Sequence, residues 1–500
     1  LRRFAVNSLS HPADADCQKD MNTGINGQRI ADLYEGPNLY PDYTLQNHGY
    51  FHTSYQNVVI QELGEAMLAL EMFKTVGGTS AHNIPADLLL HNCREVCDSV
   101  LYSLALADGE LAMPNGNDWS LLLYDQLTSY STMACMMNDD DALLLEYRAA
   151  EMIGRRQLTT PDGAWLLRSD IGPRRMGVQA HRVMMSWLMH HVWPVGNRKP
   201  TVWDDFRLRH GQARLLPCQQ VVSASTKSRF SCFGWSTGLK SYTGYIAPHP
   251  ADSLWQTDFF NLVVPYKAHN TGNLIGWYEV EGRKTNAVAV APPNISTHGE
   301  AWLLNGQLLT NDSALIEQFT IYSTPGNALV YIDHVRAYTD VTINKEMGAL
   351  LAISQDEFTS KHRHYTLEKG YANVDNRLGV VVPTDRIPTL TQTFNNNSVT
   401  TALLSACHSD SPRTYRKGEV VGRRYAVFYS NVNTEQTAIL AQLISQPTTP
   451  QGWNAVVVSD TDGTRYLLVT NFCGPEKGTV GSFGTFTLKQ GCSHATVVAP

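Results

Sequence analysis

The stretch at positions 42–60, DYTLQNHGYFHTSYQNVVI, brings Asn47, His48, Tyr50, His52 and Tyr55 together directly ahead of a helical pattern. Histidine moves protons near neutral pH, and tyrosine serves as an acid or, once deprotonated, as a base. Asparagine donates hydrogen bonds to developing negative charge. Titratable side chains on a loop, held by a rigid helix, make a workable catalytic address for acid–base chemistry. Taken alone, the same residues also read as an ordinary polar and aromatic loop.

Further along, Gly172-Pro173-Arg174-Arg175-Met176, with Arg182 downstream, offers a basic segment suited to orienting an anion. By itself it reads equally as a solvated basic pair. The turn at 114–119 leads into a helical pattern, with Asp118 as a cap, Asn117 and Trp119 as sugar-binding types, and Tyr124 one turn later. Packing of an inner helix explains those aromatics as well. Trp277 and Trp255 suit either sugar subsites or a sheet core. His190-His191 sits where a helix end favours positive charge, and His362-Arg363-His364 reads as a basic turn.

The elements that must hold these residues fall into two classes. Apolar residues Val58, Val59, Leu63, Met67, Leu70 and Phe73 recur at helical spacing, predicting a helix over 57–75. Further helices are predicted over 85–107, 119–137, 142–157 and 179–192, joined by short loops as in helical hairpins. No fixed-period repeat marks a solenoid. From about position 215 the pattern turns to short strand-like runs at 230–238, 259–265, 287–291, 328–335, 378–382 and 424–429, separated by Gly, Pro and Asn turns. The expected fold is thus an α/α toroid over 1–198, incomplete at its N-terminus, then an antiparallel β-sandwich over 199–446. A linker at 447–452 precedes a small β domain within 447–500.

Composition narrows the function classes. The 500 residues carry a formal net charge of -7 with 43% hydrophobic and 17% charged residues, an ordinary globular balance that does not suit a nucleic-acid binder. No apolar run is long enough to span a membrane. The chain starts Leu1-Arg2-Arg3-Phe4 without Met or signal peptide, so a preceding segment is expected. Nine scattered cysteines form no CxxC pair, and no metal site is indicated. Cys93 and Cys97 read as buried thiols on one helix face. Asn294-Ile-Ser and Asn311-Asp-Ser match the glycosylation pattern, and no HExxH, P-loop or dinucleotide fingerprint is present.

The order of domains and several short motifs resemble the polysaccharide lyases that join an α/α toroid to an antiparallel β-sandwich. The hyaluronate, chondroitin and xanthan lyase group (family 8) is nearer in pattern, and the heparinase II/III type more distant. Asp42-Tyr43-Thr44 leading to His48, with Tyr55 ahead of Asn57-Val58-Val59-Ile60, is similar to that group's catalytic His–Tyr segment. Thr23-Gly24-Ile25-Asn26 resembles its Asn-bearing motif, the 172–176 segment its catalytic Arg region, and Asn273-Leu274-Ile275-Gly276-Trp277-Tyr278 a turn of its sandwich.

The resemblance implies β-elimination on a uronic-acid polymer. The C5 proton leaves to a base, the C4–O bond breaks, and an acid protonates the leaving oxygen. Tyr55 would be the acid and possible base. His48 would be the base or the carboxylate neutraliser. Asn47 or Asn26 would hold the carboxylate, and Arg174 or Arg175 would orient the substrate and depress a tyrosine pKa. His52, Tyr50, Asn117, Trp119, Tyr124, Arg182 and Trp277 would line the substrate path. No cofactor is required, and the sandwich leaves room for a structural metal. The expected partner is an anionic polysaccharide, with no nucleic acid, no membrane span and an undetermined oligomeric state. The expected setting is secreted or periplasmic. Two rival readings remain: a toroid glycoside hydrolase pairing Asp42 with Asp118 or Asp125, and a non-catalytic carbohydrate binder.

Overall fold

The structure is a computed structural model that describes residues 2–19, 29–47, 49–75, 86–114, 126–158, 160–164, 172–235, 243–249, 274–354, 363–396 and 399–499. It divides into two compact units. The first comprises Leu1–Met113, Trp119–His210 and Leu216–Gln220, and the second comprises Pro114–Asp118, Gly211–Leu215 and Val221–Pro500.

The first unit is helical: α1 (Arg2–Ser8), α2 (Ile30–Leu33), α3 (Thr53–Thr75), α4 (Ala86–Leu89), α5 (Cys93–Val96), α6 (Leu127–Met136), α7 (Asp140–Gln157), α8 (Gly172–Val192) and α9 (Trp203–His210). A two-stranded hairpin of β1 (Gln46–Asn47) and β2 (Tyr50–Phe51) precedes α3, with Asn47 opposite Tyr50.

Helix α6 is the hub. Every residue from Leu127 to Cys135 is buried, as expected of a helix without a polar face. Its buried hydroxyls bond within the unit: Ser131 Oγ to Leu127 O at 3.1 Å and Thr132 Oγ1 to Thr128 O at 2.9 Å. Around it, Ser129 Oγ donates to Asn57 O of α3, and Thr128 Oγ1 donates to Arg182 O of α8. Thr132 meets Gly64 of α3 and Met189 of α8. These contacts advance along all three helices together. Helices α3, α6 and α8 therefore run parallel, with their N-termini at one end. Helix α7 returns antiparallel to α6 after a three-residue connection, started by Asp139, whose Oδ1 accepts from the N–H groups of Asp141 and Ala142.

Several boundaries differ from the sequence reading. The helix predicted over 85–107 is broken: Asn92 takes a left-handed φ of 61°, and after α5 the chain widens into a π turn and then tightens into a 3-10 turn that ends at Leu104. Asparagine tolerates that conformation, and Asn92 is held there by Nδ2 bonds to Leu9 O and Asp14 Oδ2. Cys93 and Cys97 are buried as expected, burial raises both thiol pKa values, and all nine cysteines are unbridged. The predicted helix over 119–137 is seen from Leu127, its earlier part lying outside the described residues. Helix α8 begins at Gly172 rather than 179, with Pro173 in its first turn, a position that suits proline. Helical structure also continues through α9, past position 198.

The second unit is built of antiparallel sheets. Its strands are β3 (Arg214–Leu216), at the boundary, then β4 (Val221–Ser225), β5 (Arg229–Gly234), β6 (Thr243–Pro248), β7 (Gly276–Val280), β8 (Ala287–Ala289), β9 (Asn294–His298), β10 (Ala301–Thr310), β11 (Leu315–Ser323), β12 (Ala328–Ala337) and β13 (Val341–Ser354). They continue with β14 (Tyr365–Glu368), β15 (Tyr371–Val374), β16 (Leu378–Val381), β17 (Thr389–Asn396), β18 (Val399–Ser409), β19 (Arg413–Tyr415) and β20 (Val420–Ser430). Last come β21 (Trp453–Ser459), β22 (Arg465–Asn471), β23 (Lys477–Thr479), β24 (Thr485–Thr487) and β25 (Cys492–Val498). The run expected over 259–265 lies outside the described residues.

A nine-stranded sheet ordered β14-β15-β16-β20-β12-β11-β10-β8, with β9 also on β10, forms the middle. One face packs against the sheet containing β7 and β13, through Tyr278, Val280, Val335 and Ile343. The other face packs Val330, Ile332 and Val427 against an unpredicted helix, α10 (Thr434–Leu443), and against Val456 and Leu468 of the sheet β21-β22-β25. Between the first two sheets lies an ion cluster centred on buried Arg424 and Asp333. Arg424 Nε donates to Asp333 Oδ2 at 2.8 Å, and its other nitrogens reach Glu346 and the Tyr278 hydroxyl. Asn311, a candidate glycosylation position, is buried with a φ of 54° and donates to Tyr278 O at 2.8 Å, so its amide is a turn anchor.

Candidate active site

Helix α3 opens one residue past His52, whose carbonyl accepts from the N–H groups of Tyr55 at 3.1 Å and Gln56 at 3.3 Å. Tyr55 thus lies within the first turn of the helix, not ahead of it. Three contacts fix that turn: Thr53 Oγ1 donates to Ala112 O at 2.7 Å, Ser54 Oγ approaches Met113 Sδ, and Gln56 Nε2 donates to Tyr43 O at 2.6 Å. Buried His52 meets half-buried Tyr55 edge-on, with ring centroids 4.7 Å apart at 70°. His52 therefore supports Tyr55 from beneath.

Asn47, half-buried on β1, and Tyr50 on β2 face each other across the hairpin, and Gly49 between them has a φ of 79°. That conformation favours glycine. His48, between Asn47 and Gly49, lies outside the described residues, as do Asn26, Asn117, Trp119 and Tyr124.

The basic segment is helical. Arg174 is exposed in the first turn of α8, followed by Arg175. Arg182, by contrast, is buried level with the first turn of α6 through the Thr128 bond, and Asn57 is level with the same turn through Ser129. At ~1.5 Å rise per residue, Arg174 and Arg175 stand about 11 Å farther out than Arg182. Arg182 is thus the arginine nearer the level of Tyr55. Trp277 belongs to the second unit, half-buried on β7 opposite Met347.

Sequence reasoning missed a polar seam on the faces that α3 and α8 turn toward α6. Asn57 and Gln61 of α3 and Gln179, Arg182 and Ser186 of α8 are buried. Asn57 Oδ1, Gln61 Oε1 and both amide atoms of Gln179 have no hydrogen-bond partner among the described residues. Such groups cost about 1–3 kcal/mol each when left dry. The signal was present as amides at i, i+4 spacing inside apolar helical patterns. Farther down, Glu146 accepts from Ser131 Oγ at 2.5 Å and pairs with His190 Nε2 at 2.8 Å. Hydrogen bonds to Cys135 and Glu146 raise the His190 pKa to about 10.

Asp42 is occupied structurally. Its Oδ1 accepts from Thr44, and its Oδ2 accepts from Cys218 N at 2.9 Å. Among the described residues no cluster suits a metal ion, and no helix is long and apolar enough to cross a membrane.

No protein-family profile and no curated protein sequence matches the chain. Among solved structures it is similar to the Streptomyces coelicolor A3 chondroitin AC lyase in complex with chondroitin sulphate, at TM-score 0.46 and 12% identity over 87% of this chain and 64% of that one. It is also similar to a heparan sulfate lyase from Pedobacter heparinus, at TM-score 0.44 and 9% identity over 87% of this chain and 60% of that one. A partial likeness to an α-galactosidase from Lactobacillus brevis covers 46% of this chain and 42% of that one, at TM-score 0.30 and 9% identity. The chain thus spans under two thirds of the length of these structures. Likenesses this distant do not fix an activity.

Proposed function

We propose that this chain is a polysaccharide lyase that cleaves a uronic-acid polymer by β-elimination. The observation that carries the reading is Tyr55 in the first turn of α3 on its buried His52 support, with buried Arg182 of α8 near the level of that turn. Arg182, level with Tyr55, and Arg174 and Arg175 beyond it add positive charge on the same helix bundle. An anionic sugar whose transition state gathers further negative charge suits such a place.

In this reading Arg182 takes the orienting role first given to Arg174 or Arg175, which guide the polymer from farther out. Asn47 in the hairpin, or Asn26, donates to the uronate carboxylate, so that charge arising on it after loss of the C5 proton is stabilised. His48 or the Tyr55 phenolate removes that proton. The C4–O bond breaks as the C4–C5 double bond forms, and the Tyr55 hydroxyl protonates the leaving oxygen. Tyr50, Asn117, Trp119, Tyr124 and Trp277 remain candidates for sugar contact. The substrate places the protein outside the cytoplasm, secreted or periplasmic.

The engagement of both Asp42 oxygens weighs against the paired-carboxylate hydrolase. The test is ultraviolet absorbance during incubation with uronic-acid polymers, because only elimination yields an unsaturated uronate.

A further inference from the structure

The second unit holds a cavity of about 180 Å³ between the nine-stranded sheet and the C-terminal sheet. Part of its wall is polar, with Asn305 and Gln307 of β10, Gln318 of β11, Thr470 of β22 and Gln490 before β25, and the rest is apolar, formed by Val290, Ala291, Pro292, Phe319 and Phe472. Asn294 of β9 stands exposed at the rim. Among the described residues, no Asp, Glu, Lys, Arg or His side chain lines it.

The register explains the grouping. Gln307 lies opposite Gln318, and Asn305 opposite Thr320, so these four side chains share one sheet face. Thr320 Oγ1 donates to Asn305 Oδ1 at 2.8 Å and meets Thr470 Oγ1 at 3.0 Å, joining the two sheets beside the cavity. Gln318 is 7% exposed, and its Nε2 donates to Phe472 O at 2.8 Å. Its Oε1 has no partner among the described residues. Apolar packing would be the cheaper filling for such a junction. An amide-lined hollow instead offers paired donors and acceptors.

We infer that this cavity is a binding site for one neutral sugar unit. Hydroxyl groups, each both donor and acceptor, match amide side chains. The absence of a lining cation disfavours a uronate, whose carboxylate would be desolvated without compensation. The volume is below the ~300–1,000 Å³ of clefts for drug-sized ligands, which restricts the occupant to a single ring. The inference is independent of the lyase reading, since the cavity lies wholly within the second unit.

The test titrates the full chain with a neutral hexose, an N-acetylhexosamine and glucuronic acid, followed by ligand-observed NMR. Saturable binding of a neutral sugar near ~1 mM is expected. Gln307→Ala should weaken it about tenfold, the scale of one good hydrogen bond. Asn294→Trp, an exposed rim change, should block it and serves if Gln307→Ala fails to fold. Lyase turnover should be the same in both variants. The inference is overturned if no neutral sugar saturates, if glucuronic acid binds equally well, or if the folded variants bind as the parent does.

Discussion

The His52 ring lies edge-on to the Tyr55 ring, 4.7 Å between centroids, at the point where α3 begins. One residue supplies the helix-opening carbonyl and the other occupies the first turn, so the orientation of Tyr55 is tied to that of His52. His52→Ala removes the buried ring and should lower stability by about 2–4 kcal/mol, the range for truncating a large buried side chain. The surviving fold should lose more in kcat than in KM, because Tyr55 would act from a loosened position. Chemical denaturation and steady-state kinetics together check this.

The parallel helix bundle makes a separate prediction. A β-carbon on Gly64 would lie 1.9 Å from Thr132 Oγ1, so α3 and α6 approach as closely as they do only because position 64 lacks a side chain. Gly64→Ala should cost about 1–3 kcal/mol by overpacking. Adding Thr132→Ala should recover part of that loss. A double-mutant cycle read by denaturant midpoints will show positive coupling if the two side chains compete for one space.

The β unit should show a pH signature of its own. Burial raises the pKa of Glu317 from 4.5 to about 8, against the opposing pull of Arg424. The folded state therefore holds a proton that the unfolded chain releases. The stability linked to this group is fully present below about pH 4.5 and is lost progressively as pH rises to about 8. Glu317→Gln should flatten that part of the stability–pH curve, with the variant gaining relative to the parent at pH 8. Unfolding midpoints at pH 5 and pH 8 test the sign.

Arg424 holds the same cluster together. It bonds to Asp333, Glu346 and the Tyr278 hydroxyl, and Asp333, which also accepts from the Tyr331 hydroxyl, is wholly buried. Arg424→Ala should destabilise the chain by about 3–5 kcal/mol, the scale for a buried charge stripped of its partner. Denaturant unfolding of the variant checks this.

The two-part order of the chain was legible because helical and strand periodicities are local. So were α3 and α7, whose apolar spacing and Asp-rich start are written in adjacent residues. The break at Asn92 was not, because a left-handed residue inside an apolar pattern depends on partners as distant as Leu9 and Asp14. Helix α10 was missed inside a strand-rich region. The pairing of β12 with β20, some ninety residues apart, follows from tertiary packing that no local pattern encodes. At the candidate site the residue types around Tyr55 could be read directly. The level of Arg182 relative to Arg174 and Arg175 required the helix register. The buried Arg424 cluster was not legible, since burial is not written in residue identity.

The central claim is that Tyr55 protonates the oxygen expelled in an elimination. The direct measurement is ultraviolet absorbance with the parent chain and Tyr55→Phe on hyaluronan, chondroitin, heparin-type chains, alginate, glucuronan and xanthan. The account predicts a rise with at least one polymer and its fall by about 10²–10³ in Tyr55→Phe, roughly 3–4 kcal/mol of barrier, with folding unchanged. A rise that is undiminished in Tyr55→Phe, or new reducing ends without any rise, would contradict it.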